Sequence, residues 1–365
     1  MPNRRDFLRN VAGATAGVFV GGGSLADATL GAVQGTPPAR RRVMLGGRRI
    51  TVIDIHAHHF VPEVIDLVRG TPLEAEFKGQ AGNKLRYLGP HWLQYMDKEG
   101  IDIMALNMNP WWYAADRDLA RRICDLQNQK TAEWVAKYPD RFVGMTTVAL
   151  QYPDLAAQQL EEGVKKLNMR GAPIGGSVEG QELSDRKFDP FWAKAQELDV
   201  VLFMHPQQAP GTTANTRLDG KGALGNTIGN PLETTVFLSH LIFEGTLDRF
   251  PGLKICAAHA GGYLPSYLGR SDARCGRGGG QGDCTKLKPS EYFRRNLYID
   301  TMIFHESGLR HLVDEVGVDH MVYGTDWPFD WPVGIDFILN ASFLSNAQKE
   351  AILGGNLIKM LRIKT

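Results

Sequence analysis

The chain has 365 residues, of which 43% are hydrophobic, and its 41 basic and 40 acidic side chains give a formal net charge of +1. This length allows one large α/β barrel or two ordinary domains. Because neither sign of charge is in excess, the composition argues against nucleic acid as a partner. No run of eighteen apolar residues is present, so we expect no stable membrane anchor.

The N-terminal segment differs in composition from the rest of the chain. An Arg-Arg-Asp-Phe-Leu run at residues 4–8 precedes an apolar, Gly/Ala-rich stretch and an Ala-Asp-Ala sequence at residues 26–28. This order is typical of a twin-arginine signal peptide, which predicts export of the folded protein to the periplasm by the Tat machinery. The alternative is a disordered, mildly amphipathic tail. Residues 29–48 are predicted to be a flexible leader, and residues 49–365 the folded domain.

From residue 50 onward, short β-rich apolar runs alternate with segments of helical period. The predicted strands span residues 50–55, 103–108, 142–150, 169–174, 200–204, 253–258, 297–301 and 321–324. The clearest predicted helices span residues 116–138, 154–167, 190–198 and 232–249. Eight strand and helix units in strict alternation predict a single α/β domain, a (β/α)₈ TIM barrel with its site at the carboxyl ends of the strands.

Four of the predicted strand ends carry residues that bind metals. His56 and His58 lie two apart at the end of the first strand, so both side chains point to one face. His205 follows the fifth strand, and Asp326 follows the eighth, which adjoins the first when a barrel closes. Three imidazoles and a carboxylate suit zinc or another first-row divalent ion. Each histidine taken singly is as well explained as a hydrogen-bonded core residue.

Two further patterns bear on the number of metals and on the cysteines. The end of the fourth strand, residues 170–176, contains no lysine that could bridge two ions, so we predict one metal. Cys275 and Cys284 flank a glycine-rich segment and are candidates for a disulfide, whereas Cys124 and Cys256 are expected to be small buried hydrophobes.

With these residues in place, the chain resembles the decarboxylase branch of the amidohydrolase superfamily, which includes aminocarboxymuconate-semialdehyde decarboxylase. The resemblance covers about residues 50 to 360. The matching segments are residues 53–58, 96–102, 205–206, 259–262, 269–270, 289–292, 324–329 and 355–356.

The resemblance implies a site built around one zinc-type ion, with manganese as the alternative, on His56, His58, His205 and Asp326. His259 would lie beside the ion as an acid/base residue rather than as a ligand, and Asp326 would share the proton transfer. Arg270, eleven residues after His259, matches the arginine that this family sends into the neighbouring subunit's active site. That role requires a homodimer or a larger homo-oligomer.

A second arginine, Arg86, falls approximately where the family keeps its other carboxylate-binding arginine. The alternative interpretation of both arginines is that they are solvated surface residues. Arg270 and Arg86 would bind the carboxylate of a small-molecule substrate.

The resemblance favours a metal-dependent carboxy-lyase, a non-oxidative decarboxylase of a small acid such as a hydroxybenzoate or a muconate-type acid. The same residues suit a second reaction, the metal-dependent hydrolysis of an ester, lactone, amide or C–C bond. A barrel that binds a ligand without catalysis is a third alternative, against which the complete set of metal ligands argues.

Overall fold

The computed structural model describes residues 40–364 except 208, 213, 276–284 and 333. The predicted signal peptide, residues 1–28, and the first part of the predicted leader lie outside the described residues. Within the part of the chain that the structure describes, no helix combines the length and the apolar character needed to cross a membrane.

Eight parallel strands follow one another in chain order, and each lies within or overlaps a predicted strand. Buried β-branched and other apolar side chains dominate them, as is typical of parallel strands covered on both faces. The strands are β1 (Ile53–His58), β2 (Ile103–Asn107), β3 (Phe142–Gly144), β4 (Gly171–Ile174), β5 (Val201–Met204), β6 (Lys254–Ala257), β7 (Leu297–Asp300) and β8 (Met321–Val322).

Backbone hydrogen bonds close these strands into a barrel. β1, β2 and β3 form one continuous ladder, and β4 to β8 form another. The Arg170 N–H donates to the Gly144 carbonyl at 2.9 Å and joins β4 to β3, while the Ile55 N–H donates to the Tyr323 carbonyl at 3.1 Å and joins β1 to β8. The fold is therefore the predicted (β/α)₈ barrel.

Helices surround the barrel, and a second set of short helices completes its ends. The α-helices are α1 (Val64–Val68), α2 (Glu74–Gln80), α3 (Pro90–Glu99), α4 (Arg117–Lys137), α5 (Pro153–Lys166), α6 (Asp189–Glu197), α7 (Asn230–Phe243), α8 (Thr246–Arg249), α9 (Leu264–Cys275), α10 (Pro289–Phe293), α11 (Glu306–Val316), α12 (Ile335–Leu339), α13 (Asn346–Glu350) and α14 (Asn356–Met360). Three-residue 3₁₀ turns and two π-helical turns, Gly225–Gly229 and Ala351–Gly355, connect some of them.

Three of the four predicted helices are confirmed to within one residue at each end, as α4, α5 and α6. The fourth prediction, residues 232–249, is wrong as a single helix, because α7 and α8 are separate. Gly245 lies between them with φ +75°, a left-handed backbone conformation that glycine adopts without steric cost and that ends an α-helix.

Two hydrophobic clusters hold the barrel together. One draws on strands around the whole ring, with Ile53, Phe203 and Cys256 among its members, and packs against Leu357 of α14, so it fills the barrel interior. The larger cluster joins the outer faces of the strands to the surrounding helices. Cys124 and Cys256 are free and buried, as predicted. Cys275 is disulfide-bonded, and its predicted partner Cys284 lies outside the described residues.

Residues 40–49 differ from the flexible leader that was predicted to extend to residue 48. Met44–Leu45 and Arg48–Arg49 pair as a short antiparallel hairpin. Val43 is buried, and the Arg40 guanidinium forms an ion pair with the Asp102 carboxylate. Apolar burial and ion pairing thus tie this segment to the barrel.

The close packing of β4 against β5 gives a test of the fold. A methyl group added to Gly171 would clash with the Val201 carbonyl oxygen on β5, whereas a methyl group on Gly79 of α2 meets no atom within 4 Å. We expect Gly171→Ala to lower the free energy of unfolding by about 1–3 kcal/mol. Gly79→Ala should leave it unchanged or raise it by up to about 1 kcal/mol. Urea titration followed by circular dichroism measures both, and equal midpoints would contradict the packing described.

Candidate metal centre

Side chains from four strand ends converge at the carboxyl face of the barrel. His56, His205, His259 and Asp326 each offer one ligand atom, and these atoms lie within 4.8 Å of one another. His58 completes the cluster, because its Nε2 lies 3.0 Å from His56 Nε2 and 3.0 Å from Asp326 Oδ1. The structure therefore brings together all four predicted ligands and the predicted acid/base residue.

His56 and His58 reach the cluster through an irregularity in β1. Strict alternation would place His56 on the opposite face from Ile55, whose side chain belongs to the interior cluster. The pairing of β1 with β2 shifts register between Asp54 and Ala57. Such a bulge re-aims the side chains beyond it, so the His56 ring contacts the interior residue Phe203 at a centroid distance of 5.0 Å.

Hydrogen bonds to Nδ1 orient two of the imidazoles. His56 Nδ1 lies 2.6 Å from Asp300 Oδ2, and His205 Nδ1 lies 2.9 Å from the Pro206 carbonyl oxygen. Both partners only accept, so each Nδ1 carries a hydrogen and each Nε2 is left to face the cluster. This is the arrangement that a metal requires of a histidine ligand, and the set of nitrogen and carboxylate donors fits a single divalent ion.

Asp300 is a site residue that the sequence analysis missed. Its carboxylate is fully buried and also accepts the backbone N–H groups of His259, Ala260 and Met302 at 3.2, 2.8 and 3.1 Å. One side chain thereby orients a ligand from β1 and the loop after β6. The available signal was its place at the end of β7, where an acidic residue follows an apolar strand.

The pKa of one cluster histidine, His56, is raised, whereas those of His58 and His205 are lowered. Burial opposes a charge on His56, but the carboxylates of Asp326 and Asp300 outweigh it and raise the pKa of His56 to about 10. Burial lowers the pKa of His58 to about 4 and holds the pKa of His205 well below its usual value. Burial acts to raise the pKa of Asp326, but His56 and His58 outweigh it and hold that pKa well below the usual range.

Two cluster residues have backbone conformations that side chains other than glycine rarely adopt. Asp326 and His259 both have φ +56°, and Ala260 has φ +58°. Left-handed backbone at such residues costs free energy and persists where the surrounding structure imposes it. The hydrogen bonds from His259 and Ala260 to Asp300 supply that constraint for the loop after β6.

His59 does not join the cluster. Its Nδ1 lies 2.9 Å from the Asn107 carbonyl oxygen, and its Nε2 lies 2.9 Å from Thr131 Oγ1. Both ring nitrogens are thus satisfied by the fold. His59 therefore points away from His56 and His58.

A cavity of about 760 Å³ opens above the cluster, and His205, His259 and Asp326 form part of its wall. The rest of the wall is largely aromatic and polar. It includes Trp111, Tyr113, Phe329, Trp331, Glu76, Gln80, Asn226 and Asn230. A cavity of this size and composition suits a small flat molecule with polar substituents.

Arg86 is the single arginine or lysine among the described residues that line this cavity. It is buried, with its guanidinium 5.4 Å from the ring centre of Trp111 and 5.1 Å from that of Phe329. It also donates to the Gln80 side-chain carbonyl. Burial lowers the pKa of Arg86, while the charge of Asp326 acts in the opposite direction. Arg86 is therefore not a solvated surface residue.

Arg270 lies elsewhere. It is exposed on α9 and is not among the described residues that line the cavity of its own chain. Its predicted role in a neighbouring subunit stays a prediction.

Comparison with known proteins agrees with this fold and site. A family model described as Amidohydrolase matches residues 53–363. The chain is 28% identical over 278 residues to the 2-amino-3-carboxymuconate-6-semialdehyde decarboxylase of Dictyostelium discoideum, which covers 74% of this chain and 75% of that protein. The chain therefore belongs to the amidohydrolase family, and it is an enzyme of the metal-dependent decarboxylase branch.

Solved structures of related decarboxylases superimpose on most of the chain. The 5-carboxyvanillate decarboxylase of Sphingomonas paucimobilis has a TM-score of 0.79 and 27% identity, covering 86% of this chain and 100% of that chain. A dihydroxybenzoic acid decarboxylase from Polaromonas, with bound manganese and the inhibitor 2-nitroresorcinol, has a TM-score of 0.74 and 28% identity, covering 86% and 97%. The cofactor is one divalent metal ion, and the cluster of histidines and Asp326 is suited to hold it.

The protonation of His56 predicts how metal binding depends on pH. With a pKa of about 10, His56 is protonated at pH 8 in the metal-free protein, while His58, His205 and Asp326 are not. A metal must displace that proton to reach Nε2, so binding should release about one proton. Below pH 10, the affinity for the metal should therefore rise about tenfold for each unit by which the pH is raised. Calorimetry of Mn²⁺ binding in buffers of different ionisation enthalpy counts the protons. Binding without proton release would contradict a role for His56 as a ligand.

Proposed function

We propose that this enzyme is a non-oxidative decarboxylase of a hydroxylated aromatic acid. The observation that carries the proposal is one buried arginine, Arg86, held between aromatic rings in the cavity that opens onto the His/Asp cluster. A carboxylate at Arg86 and a ring against Trp111 and Phe329 would satisfy both features of the wall. The related enzymes whose names refer to carboxyvanillate and dihydroxybenzoic acid support the same substrate class.

Arg86 would bind and orient the substrate. Its position between two rings keeps water from much of the guanidinium, which strengthens its attraction to a carboxylate. Its buried Nε has no hydrogen-bond partner within the described chain, so a donor remains available. Arg86 and Asp326 both line this cavity, so a carboxylate bound at the arginine lies within the same cavity as the cluster.

The reaction breaks the bond between the ring and the carboxyl carbon, leaves its electron pair on the ring carbon and replaces CO₂ by a proton. When bound, the divalent ion supplies Lewis acidity, which draws electron density from a substrate oxygen next to the scissile bond. His56, His58, His205 and Asp326 would hold that ion. The proton that replaces CO₂ would come from a side chain positioned at the cavity wall.

His259 is the group best placed to deliver that proton. Its Nε2 lies 4.0 Å from Asp326 Oδ2, and its side chain is 14% exposed, whereas those of His56 and His58 are fully buried. It therefore reaches the cavity from the edge of the cluster. Imidazole can act as a general acid and base. Burial lowers the pKa of His259, while the charge of Asp326 acts in the opposite direction. Asp326 would assist by stabilising the imidazolium across that 4.0 Å separation.

Arg270 supports a proposal about assembly. Because it is exposed on α9 and absent from its own cavity wall, a substrate-binding role would require a second subunit. We propose a homodimer or a larger homo-oligomer in which Arg270 completes the neighbouring site. Sedimentation of catalytically active enzyme as a monomer would contradict this assembly.

The reaction class and the role of Arg86 are tested together by a substrate panel. Metal-loaded enzyme is incubated with hydroxybenzoates, muconates, esters and lactones, and CO₂ release is compared with hydrolysis. We expect CO₂ from a hydroxybenzoate, and about a 10- to 150-fold loss of kcat/KM in Arg86→Met from the lost charged hydrogen bonds. Arg86→Lys should recover only part of this loss, since lysine lacks the planar fork.

Opening of a lactone or ester without CO₂ from any acid would instead identify a hydrolase. Equal kcat/KM for Arg86→Met and the unaltered enzyme would remove Arg86 from the binding site, whichever reaction is found.

The twin-arginine pattern supports a further proposal, that the enzyme acts after export to the periplasm. A fusion of residues 1–39 to green fluorescent protein tests it, since that reporter fluoresces in the periplasm only when it crosses the membrane folded. We expect periplasmic fluorescence, and its loss when Arg4→Lys and Arg5→Lys are combined, which preserves the charge but not the paired arginines. Undiminished export of the double variant would contradict a twin-arginine signal.

A further inference from the structure

The two carboxylate oxygens of Asp326 have different neighbours. Oδ1 faces the histidines, 3.1 Å from His56 Nε2 and 3.0 Å from His58 Nε2. Oδ2 accepts a hydrogen bond of 2.8 Å from the indole Nε1 of Trp331 and lies 4.0 Å from His259 Nε2. One oxygen therefore belongs to the cluster, and the other is held by a tryptophan five residues further along the chain.

The indole of Trp331 is itself held in place. Its backbone N–H donates to the Phe329 carbonyl at 2.7 Å, and its ring packs against Phe304 with ring centres 5.2 Å apart. An indole N–H can only donate and an ionised carboxylate can only accept, so this bond keeps one polarity whatever the protonation of the histidines. The bond thus fixes the rotation of the Asp326 carboxylate about its own axis.

Without this donor, Asp326 Oδ2 has two alternative partners. The carboxylate can turn so that both oxygens bind the ion, or it can close the 4.0 Å separation from His259 and form an ion pair. The first changes the coordination number, and the second draws the carboxylate away from the ion and occupies the proposed proton donor. The second alternative weakens metal binding, and the first alters the ligand geometry of the site that the proposed function requires.

We propose that Trp331 is a positioning residue, whose indole N–H restricts Asp326 to binding the metal through Oδ1 and keeps Oδ2 from pairing with His259. The proposal rests on Asp326 being a metal ligand, as the proposed function has it. It does not depend on which acid is decarboxylated.

The same loop supplies a matched control. Trp327 also has a buried indole Nε1, which has no hydrogen-bond partner among the residues that the structure describes. Its ring stacks on Tyr95, with ring centres 3.7 Å apart and planes at 25°. Trp327→Phe therefore removes an indole N–H that bonds no described side chain, whereas Trp331→Phe removes the one that bonds Asp326.

Equilibrium Mn²⁺ binding, followed by the electron paramagnetic resonance of the free ion, tests the proposal on the full chain without substrate. We expect Trp331→Phe to bind Mn²⁺ about 10- to 100-fold more weakly than the unaltered protein, the usual effect of losing a partner of a metal ligand. Trp327→Phe should bind as the unaltered protein does. With Co²⁺ in place of Mn²⁺, the visible d–d spectrum should change in Trp331→Phe alone, because the ligand geometry changes.

Equal Mn²⁺ affinity and identical Co²⁺ spectra for the two variants would overturn the proposal. Thermal unfolding of the metal-free variants separates a loss of fold from a loss of positioning, and equal midpoints are expected. Should Trp331→Phe not fold, Phe304→Leu loosens the ring while keeping its N–H. Phe304→Leu should weaken Mn²⁺ binding, but by less than the about 10- to 100-fold expected for Trp331→Phe. Unchanged binding would count against the proposal.

The result is also independent of the reaction class. If no acid releases CO₂ but Trp331→Phe still loses Mn²⁺ affinity, the proposed decarboxylation is wrong while the role of Trp331 holds. If CO₂ is released and Mn²⁺ affinity is unchanged in Trp331→Phe, the proposed decarboxylation holds while the proposed role of Trp331 is wrong.

Discussion

The hydrogen bond between His56 Nδ1 and the buried carboxylate of Asp300, 2.6 Å long, links the first and seventh strands across the barrel mouth. Because Asp300 only accepts, it leaves His56 Nε2 as the atom that faces the cluster. The same carboxylate binds the backbone of His259 and Ala260 and so holds the left-handed turn that carries the proposed proton donor. The proposed metal ligand His56 and the proposed acid/base residue His259 therefore share one anchor.

A second buried carboxylate, that of Asp54, also holds the residues of the site. The fully buried carboxylate of Asp54 accepts the Thr325 hydroxyl at 2.5 Å and the His56 backbone N–H at 2.8 Å. Burial raises the pKa of Asp54 to about 7, although these hydrogen bonds act in the opposite direction. Asp54 thus ties the strand that carries His56 to the residue before Asp326. The ligands are fixed by neighbours that cannot move without disturbing the barrel.

The sequence was sufficient to predict the barrel, and which side chains meet at its mouth, for a specific physical reason. Parallel strands end on one face, so His205 and Asp326, far apart in the chain, are brought to His56 and His58 by topology alone. The direction of the Arg86 side chain was harder to predict, because Arg86 lies between helices in a segment without helical or strand periodicity. Only the structure places it between Trp111 and Phe329.

Asp300 and Trp331 were missed for a related reason. Neither forms a spaced motif, and each acts through another residue, so its role is visible only in contacts between distant segments. The order seen at residues 40–48 could not be predicted from the sequence, because the ion pair that holds Arg40 forms with Asp102, a residue distant in the chain.

We propose that one divalent ion binds among His56, His58, His205 and Asp326. Crystals of Mn²⁺-loaded protein measured at the manganese absorption edge test this most directly. We expect one anomalous peak per chain, at bonding distance from the Nε2 atoms of the three histidines and from one oxygen of Asp326. A peak outside this cluster, or a second peak of equal height toward the end of β4, would contradict it.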